Sequence, residues 1–284
     1  MEPAIVCLAL FGACIAILLA VRVLDWRADR REWARLAALQ PAIPARYEPR
    51  LVAGLAEPAR RYFNYAIAPG TPLLPVVEIG MRGQFSLGSR TAANYRTMSA
   101  RQILAAPYGF VWQMRLPGWI RVSGSDAGRW TRFRILGLLP VARMGGNADH
   151  AQAAFGRYVA EAVFWAPAAL LPGPGVAWEA VDANTARVTV RHATLSQAVD
   201  VKVDTDGRPL AVSFMRWSNA NPAREYRAQP FGGSLADFRD VQGYRLPFRV
   251  EAGNHFGTDE YFPFYKAALT GIRFPGAKRR PPAA

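Results

Sequence analysis

The chain has 284 residues, 51% of them hydrophobic, and a formal net charge of +14. That length is enough for one large domain or two modest ones with a real core. The only two cysteines, Cys7 and Cys14, fall in the first apolar segment, so the rest of the chain has no disulfide framework. The positive charge is nearly all arginine, 32 Arg against 3 Lys. Such a balance is compatible with nucleic acid, anionic lipid or a codon bias; it speaks to association and not to fold.

From Ala4 to Val21 no residue is charged, and apolar character continues to Leu24. A stretch of this length can cross a bilayer core. A cleaved signal peptide would carry basic residues ahead of it, but only Glu2 stands there, so residues 1–24 read as an uncleaved single-pass anchor. Arg22, Arg27, Arg30, Arg31 and Arg35 follow the span, diluted by Asp25, Asp29 and Glu32. By the positive-inside rule this flank puts the domain in the cytoplasm. Residues 25–54 read as a juxtamembrane helix and a linker broken by Pro41, Pro44 and Pro49, with Trp26, Trp33 and Leu36 as interfacial candidates on the helix. A second helix starts at Pro58.

From Val76 the texture turns to short β-rich runs separated by Gly and Pro. The clearest hairpin alternates Val199, Val201 and Val203, turns at Asp204-Thr205-Asp206-Gly207, and returns through Leu210, Val212 and Phe214. One helix interrupts the strands, capped by Asn147 and running from Ala148 to Ala166. Phe155, Tyr158, Val159, Ala162 and Ala166 form one stripe on it; Arg157, Glu161 and Phe164 form a second. Both stripes are substantially apolar, so the helix is expected to be enclosed, with Arg157 and Glu161 as a buried ion pair whose further partner is an arginine or tryptophan on the sheet. The fold class is therefore α+β: a curved, half-open antiparallel sheet with a long helix packed against it, one domain over residues 55–275, and a disordered basic tail over 276–284.

Motifs for chemistry are sparse. His150, His192 and His255 have no metal-ligand spacing, and no metal or cofactor is expected. The Asp204 turn opens like a calcium loop, but position twelve is Met215. Gly145-Gly146-Asn147 reads as an ordinary helix start. Asp126, Glu161, Asp182 and Asp237 are the carboxylates from which a paired site could be drawn. In the run RWTRFR, Arg129 to Arg134, Phe133 and Ile135 face one way while Trp130, Arg132 and Arg134 face the other; this reads as a half-buried sheet edge with a solvated basic face rather than a nucleic-acid surface.

Four segments carry a resemblance: AEPARRYFNYAIAPGTP, PYGFVWQMR, GRYVAEAVFWAPAALLPGPGVAWEAVD and FGGSLADFRDVQGYRLPFRVE. In this order they resemble the successive blocks of an uncharacterised bacterial family, a domain of unknown function, from about Leu55 to Phe274. The family's pattern in turn resembles periplasmic lipoprotein-carrier folds, half-open sheets covered by helices that hold acyl chains. That implies a periplasmic domain, against the charge rule, so the membrane side stays open. The expected function is a membrane-tethered, non-enzymatic module for an acyl lipid or other apolar ligand. Its candidate ligand-binding residues are Trp112, Trp130, Phe133, Tyr158, Phe164, Trp165 and Trp178, each of which also fits simple core packing. The alternatives are a structural domain with a filled core, or an enzyme using Glu161 and a sheet carboxylate.

Overall fold

A computed structural model describes residues 3–276. The basic tail beyond Gly276 lies outside the described residues. The chain opens with helix α1, Pro3–Ala37. Its N-terminal part is long and apolar enough to cross a membrane, and none of that apolar window is buried in the protein. No break separates this part from residues 25–37. Gly and Pro are absent between Ala13 and Ala37, and the helix ends only as Pro41 approaches.

Thirteen strands form one antiparallel sheet. They are β1 (Val77–Ser86), β2 (Tyr95–Ala105), β3 (Gly109–Leu116), β4 (Val122–Ala127), β5 (Trp130–Ile135), β6 (Leu139–Gly145), β7 (Val176–Asp182), β8 (Thr185–His192), β9 (Leu195–Val203), β10 (Pro209–Ser218), β11 (Arg227–Val241), β12 (Tyr244–Asn254) and β13 (Phe262–Arg273). The order is β6-β5-β4-β3-β2-β1-β13-β12-β11-β10-β9-β8-β7. The chain thus enters mid-sheet, meanders out to the edge at β6, crosses to the opposite edge, and meanders back until β13 pairs with β1. The crossing is made by helix α3, Ala148–Trp165, whose first turn is capped by Asn147 Oδ1 accepting from the His150 amide at 2.8 Å.

The sheet curls strongly. Tyr108, between β2 and β3, packs edge-on against His192 of β8 with ring centroids 5.2 Å apart, although six strands separate β2 from β8 in the sheet order. Glycines permit the bend: a Cβ on Gly233 would lie 1.7 Å from the Glu251 carbonyl oxygen, and one on Gly253 1.8 Å from that of Phe262. Edges β6 and β7 do not pair, so the curl stays half open.

Helix α3 lies in the concave face, chiefly against β9 and β10, and buries Phe155, Val159, Ala162, Val163 and Trp165. Each such side chain contributes about 1.5–3 kcal/mol where it is large. Helix α2, Glu57–Ala66, closes one end with Tyr62 and Phe63 fully buried. Tyr47 and Val52, in the region expected to be linker, are also fully buried in this core.

The convex face holds a second, smaller core, in which Leu36 of α1 meets Val76, Ile103, Ala105, Val111, Ala127 and Trp130. The arginine face of β5 is therefore not solvated. Arg134 is buried beneath α1, where Asp25 accepts hydrogen bonds from Arg134 and Arg143 and lies 3.0 Å from Arg132. Burial on its own raises the Asp25 carboxyl; the Arg143 and Arg134 hydrogen bonds and the Arg132 charge outweigh it and hold the group below the usual range. One turn on, Asp29 accepts from Ser125 at 2.8 Å and from Gln113 at 3.1 Å, yet burial pushes its carboxyl up. Trp33 donates to Glu78 at 2.9 Å, and Gln40 holds both the amide and the carbonyl of Val76 at 3.0 Å. Trp33 and Leu36 thus pack on the sheet rather than at a membrane interface. β5 is not the edge either: β6 lies outside it.

Candidate ligand-binding site

Between α3 and the concave face lies a cavity of about 810 Å³. Alternation along the strands sends every second side chain into it. β3 contributes Trp112 and Met114, β5 Phe133 and Ile135, β10 Val212 and Phe214, and β11 Phe231 and Leu235. α3 closes the other wall with Ala160, Phe164 and Trp165. The volume falls in the usual small-ligand range of about 300–1,000 Å³.

Several polar side chains interrupt this lining, and three of them form a bonded cluster. Arg157 donates from Nε to Glu161 at 2.8 Å and from Nη1 to Asp126 at 2.6 Å, and its guanidinium lies over the rings of Phe110 and Trp112 at 4.7 and 5.0 Å. Gln102 donates to the second Glu161 oxygen at 2.5 Å, and Thr131 donates to the second Asp126 oxygen at 2.5 Å. The expected i,i+4 pair on α3 is thus half of a three-membered bridge to the sheet. Its members keep 16–20% of their side-chain surface exposed, and all three line the cavity. Burial lowers the Arg157 guanidinium, but the charges of Glu161 and Asp126 overturn that and raise it. Asp126 is a sheet carboxylate that shares Arg157 with Glu161, the arginine bonded to both. Asp182 and Asp237 take no part in the cavity; Asp237 pairs with Arg239 at 2.7 Å.

Arg216 of β10 lies beside this bridge. It faces the cavity over the Phe231 ring at 4.8 Å, and its Nε is buried without a hydrogen-bond partner among the described residues. Burial, reinforced by the neighbouring Arg157 charge, pushes its guanidinium down to about 10. The Trp112 indole N–H is likewise buried and unpartnered. Two unsatisfied donors are thus left beside an apolar chamber.

Of the seven candidate ligand-binding residues, Trp112, Phe133, Phe164 and Trp165 line this one cavity. Trp130, Tyr158 and Trp178 do not. Trp130 is on the convex face, donating to Ser125 at 3.1 Å under Arg132, because an odd spacing from Phe133 puts it on the other side of β5. Tyr158 donates to the Pro107 carbonyl at 3.2 Å and packs between Phe110 and Phe155. Trp178 donates to the Leu170 carbonyl at 2.8 Å and packs on Tyr62 and Phe63 below α2. Phe85, Phe214, Arg216, Phe231, Phe264 and Tyr265 also line the cavity and are not among the seven candidates. The alternation of Val212, Phe214 and Arg216 in the hairpin is the signal that could have found three of the lining residues.

The site is thus an open antiparallel sheet curled around one helix, with an apolar chamber between the two. The chain belongs to the family of unknown function DUF6544, which matches it over residues 45–267, most of the chain and the whole sheet up to mid-β13. No curated protein matches it in sequence. Among solved structures it is similar to a LolA superfamily protein from Nitrosomonas europaea, at 9% identity and a TM-score of 0.43, covering 79% of this chain and 93% of that one. It is also similar to a domain assigned to outer membrane lipoprotein sorting from Vibrio parahaemolyticus, at 10% identity and a TM-score of 0.34, covering 70% of this chain and 85% of that one.

Proposed function

We propose that the protein is a membrane-tethered, non-enzymatic module that holds an acyl chain or another apolar ligand in the cavity under α3. The observation that carries this reading is the chamber of about 810 Å³ walled by aromatic and aliphatic side chains. Apolar wall left facing water costs roughly 25 cal/mol per Å², and an apolar ligand recovers much of it. The apolar helix α1 supports the tether. The bridge of Asp126, Arg157 and Glu161 acts in this reading as a brace that fixes α3 above the sheet.

Native mass spectrometry of the detergent-extracted protein, followed by organic extraction, tests the reading. The expected result is an adduct of lipid mass that survives gel filtration. Ala160 is the small helical residue on the cavity wall, so Ala160→Trp is expected to expel the adduct while the protein stays folded. A clean unliganded mass, under conditions that keep lipid on a known carrier, would falsify the proposal.

A further inference from the structure

We infer that the cavity's mouth is built to sit on an anionic lipid bilayer, the same one that the apolar part of α1 enters. This rests on the reading above for what passes through the mouth, though not for the docking itself.

Antiparallel pairing puts the β1–β2, β3–β4 and β5–β6 turns at one end of neighbouring strands. Three apolar residues near these turns, Leu87, Ile120 and Val141, are exposed and also line the cavity. They therefore mark its opening. Trp119, at the tip of the middle turn, is 96% exposed, and Leu136 and Leu139 project from the third turn. Six large apolar side chains at one rim form a surface that water does not favour and a bilayer interface does.

The direction of α1 fixes where that rim points. Arg22 lies against Gly137, in the β5–β6 turn. Thirteen residues later, Arg35 donates to the Tyr108 carbonyl at 3.1 Å, at the opposite end of the strands. The helix therefore runs down the convex face away from the rim. Followed back toward its N-terminus, the uncharged segment from Ala4 to Val21 leaves the domain at the rim end. The same bilayer that takes this segment meets Trp119.

Charge selects the kind of bilayer. These three turns, residues 87–97, 115–123 and 134–143, contain no Asp or Glu; the exposed carboxylates at this end of the sheet, Glu225, Asp259 and Glu260, sit in the β10–β11 and β12–β13 turns on the other side of β1. Arg90, Arg115 and Arg121 are exposed there, and Arg96 lies on the mouth itself beside Gly118. Arginines around an interfacial tryptophan complement anionic headgroups. A soluble acidic protein would meet the charge but not the apolar tips, and it would have to share the rim with the membrane beside α1.

The test uses the full chain in vesicles of phosphatidylcholine and phosphatidylglycerol. Cys7 and Cys14 are replaced by Ala, and one new cysteine carries an environment-sensitive fluorophore. One variant is Trp119→Cys. The other is Gly128→Cys in the β4–β5 turn, at the far end of the same strands, where an added Cβ meets nothing within 4 Å. Doxyl-labelled lipid is expected to quench the fluorophore at 119 severalfold more than at 128. Replacing Arg90, Arg115 and Arg121 by Gln is expected to bring the 119 signal in these vesicles down to that in phosphatidylcholine alone. Equal, weak quenching at both positions overturns the inference. Native mass spectrometry on the same preparations separates the two readings. Bound lipid with an unquenched 119 leaves the cavity reading standing and sinks the rim; a quenched 119 without bound lipid does the reverse.

Discussion

Asp25 of α1 and Arg134 of β5 form an ion pair in which both side chains are at least nine-tenths removed from solvent. Arg132 and Arg143 converge on the same carboxylate, at 3.0 and 2.7 Å. One aspartate thus neutralises three arginines between the helix and the sheet. Its removal leaves buried cations without a partner, and breaking a buried pair costs about 3–5 kcal/mol. Asp25→Asn is expected near the low end, about 3 kcal/mol, because Arg143 is half exposed. Hydrogen exchange should rise along residues 25–37 before it rises in the strands; protection unchanged in α1 would refute the docking role. The folded Asp25 pKa is depressed, so its contribution is present above the ordinary value of 3.8 and fades as pH falls below it.

Glu161→Gln removes one of the two carboxylates around Arg157. Asp126 stays in place, and the cluster keeps some contact with the cavity, so the loss is expected at about 1–3 kcal/mol, below that of a sealed pair. The surface change Asp259→Asn is the comparison. Equal melting temperatures for the two variants would show that the bridge does not hold α3.

Trp178→Phe separates packing from binding. It deletes the hydrogen bond to Leu170 and should cost about 1 kcal/mol, while bound lipid is unaffected because Trp178 lies outside the cavity. Phe133→Ala, in the cavity wall, should lower lipid occupancy. Loss of adduct in Trp178→Phe at full folding would contradict this division.

Alkali should unfold the protein in a definite window. Burial pushes the Tyr47 and Tyr261 hydroxyls up to about 12, and raises Tyr62, Tyr158, Tyr244 and Tyr265 further above the ordinary 10.0. The folded state then holds protons that the unfolded chain releases from about pH 10, so unfolding free energy falls as pH rises. Arg216, with its folded pKa lowered to about 10, runs the other way: its deprotonation relieves a penalty between about 10 and its ordinary 12.5. Six tyrosines outweigh that one arginine. Denaturant midpoints from about pH 9 to 11 should decline, with phenolate absorbance appearing together with unfolding. Phenolate signal from a still-folded protein would mean that these hydroxyls are accessible.

Local rules carried the sequence reading a long way. Asn147 and the proline after Ala166 bracket α3 to within a residue, and the Asp204–Gly207 turn fixes the β9–β10 hairpin. Alternation split Phe133 from Trp130 correctly, but the partner of each face was not legible. Nothing local says that Asp25 will find Arg134 across 109 positions, so the aspartates read as mere dilution of a basic flank. The run from Ile120 to Leu139 holds two strands and the start of a third, divided only by Gly128 and Gly137. In the cavity, aromatic content drew attention to Trp112, Phe133, Phe164 and Trp165. Choosing them over Trp130, Tyr158 and Trp178 needs the helix rotation and the sheet curl, which arise from contacts distant in sequence. Arg216 looked like any strand arginine until β11 and α3 closed around it.

The unbroken course of α1 sets how far this domain can range. A flexible linker of n residues would let it search about 5–6 Å times √n from its foothold. Here the helix that leaves the domain is the same rod that is clamped to it by Asp25, Asp29 and Trp33, so that radius is close to nil. With α1 in a bilayer, the domain is a fixed berth and not a ferry. On the proposed lipid-holding function, cargo would have to arrive and depart by its own diffusion or on another carrier, and the traffic the berth could serve would be bounded by how often a neighbour comes alongside.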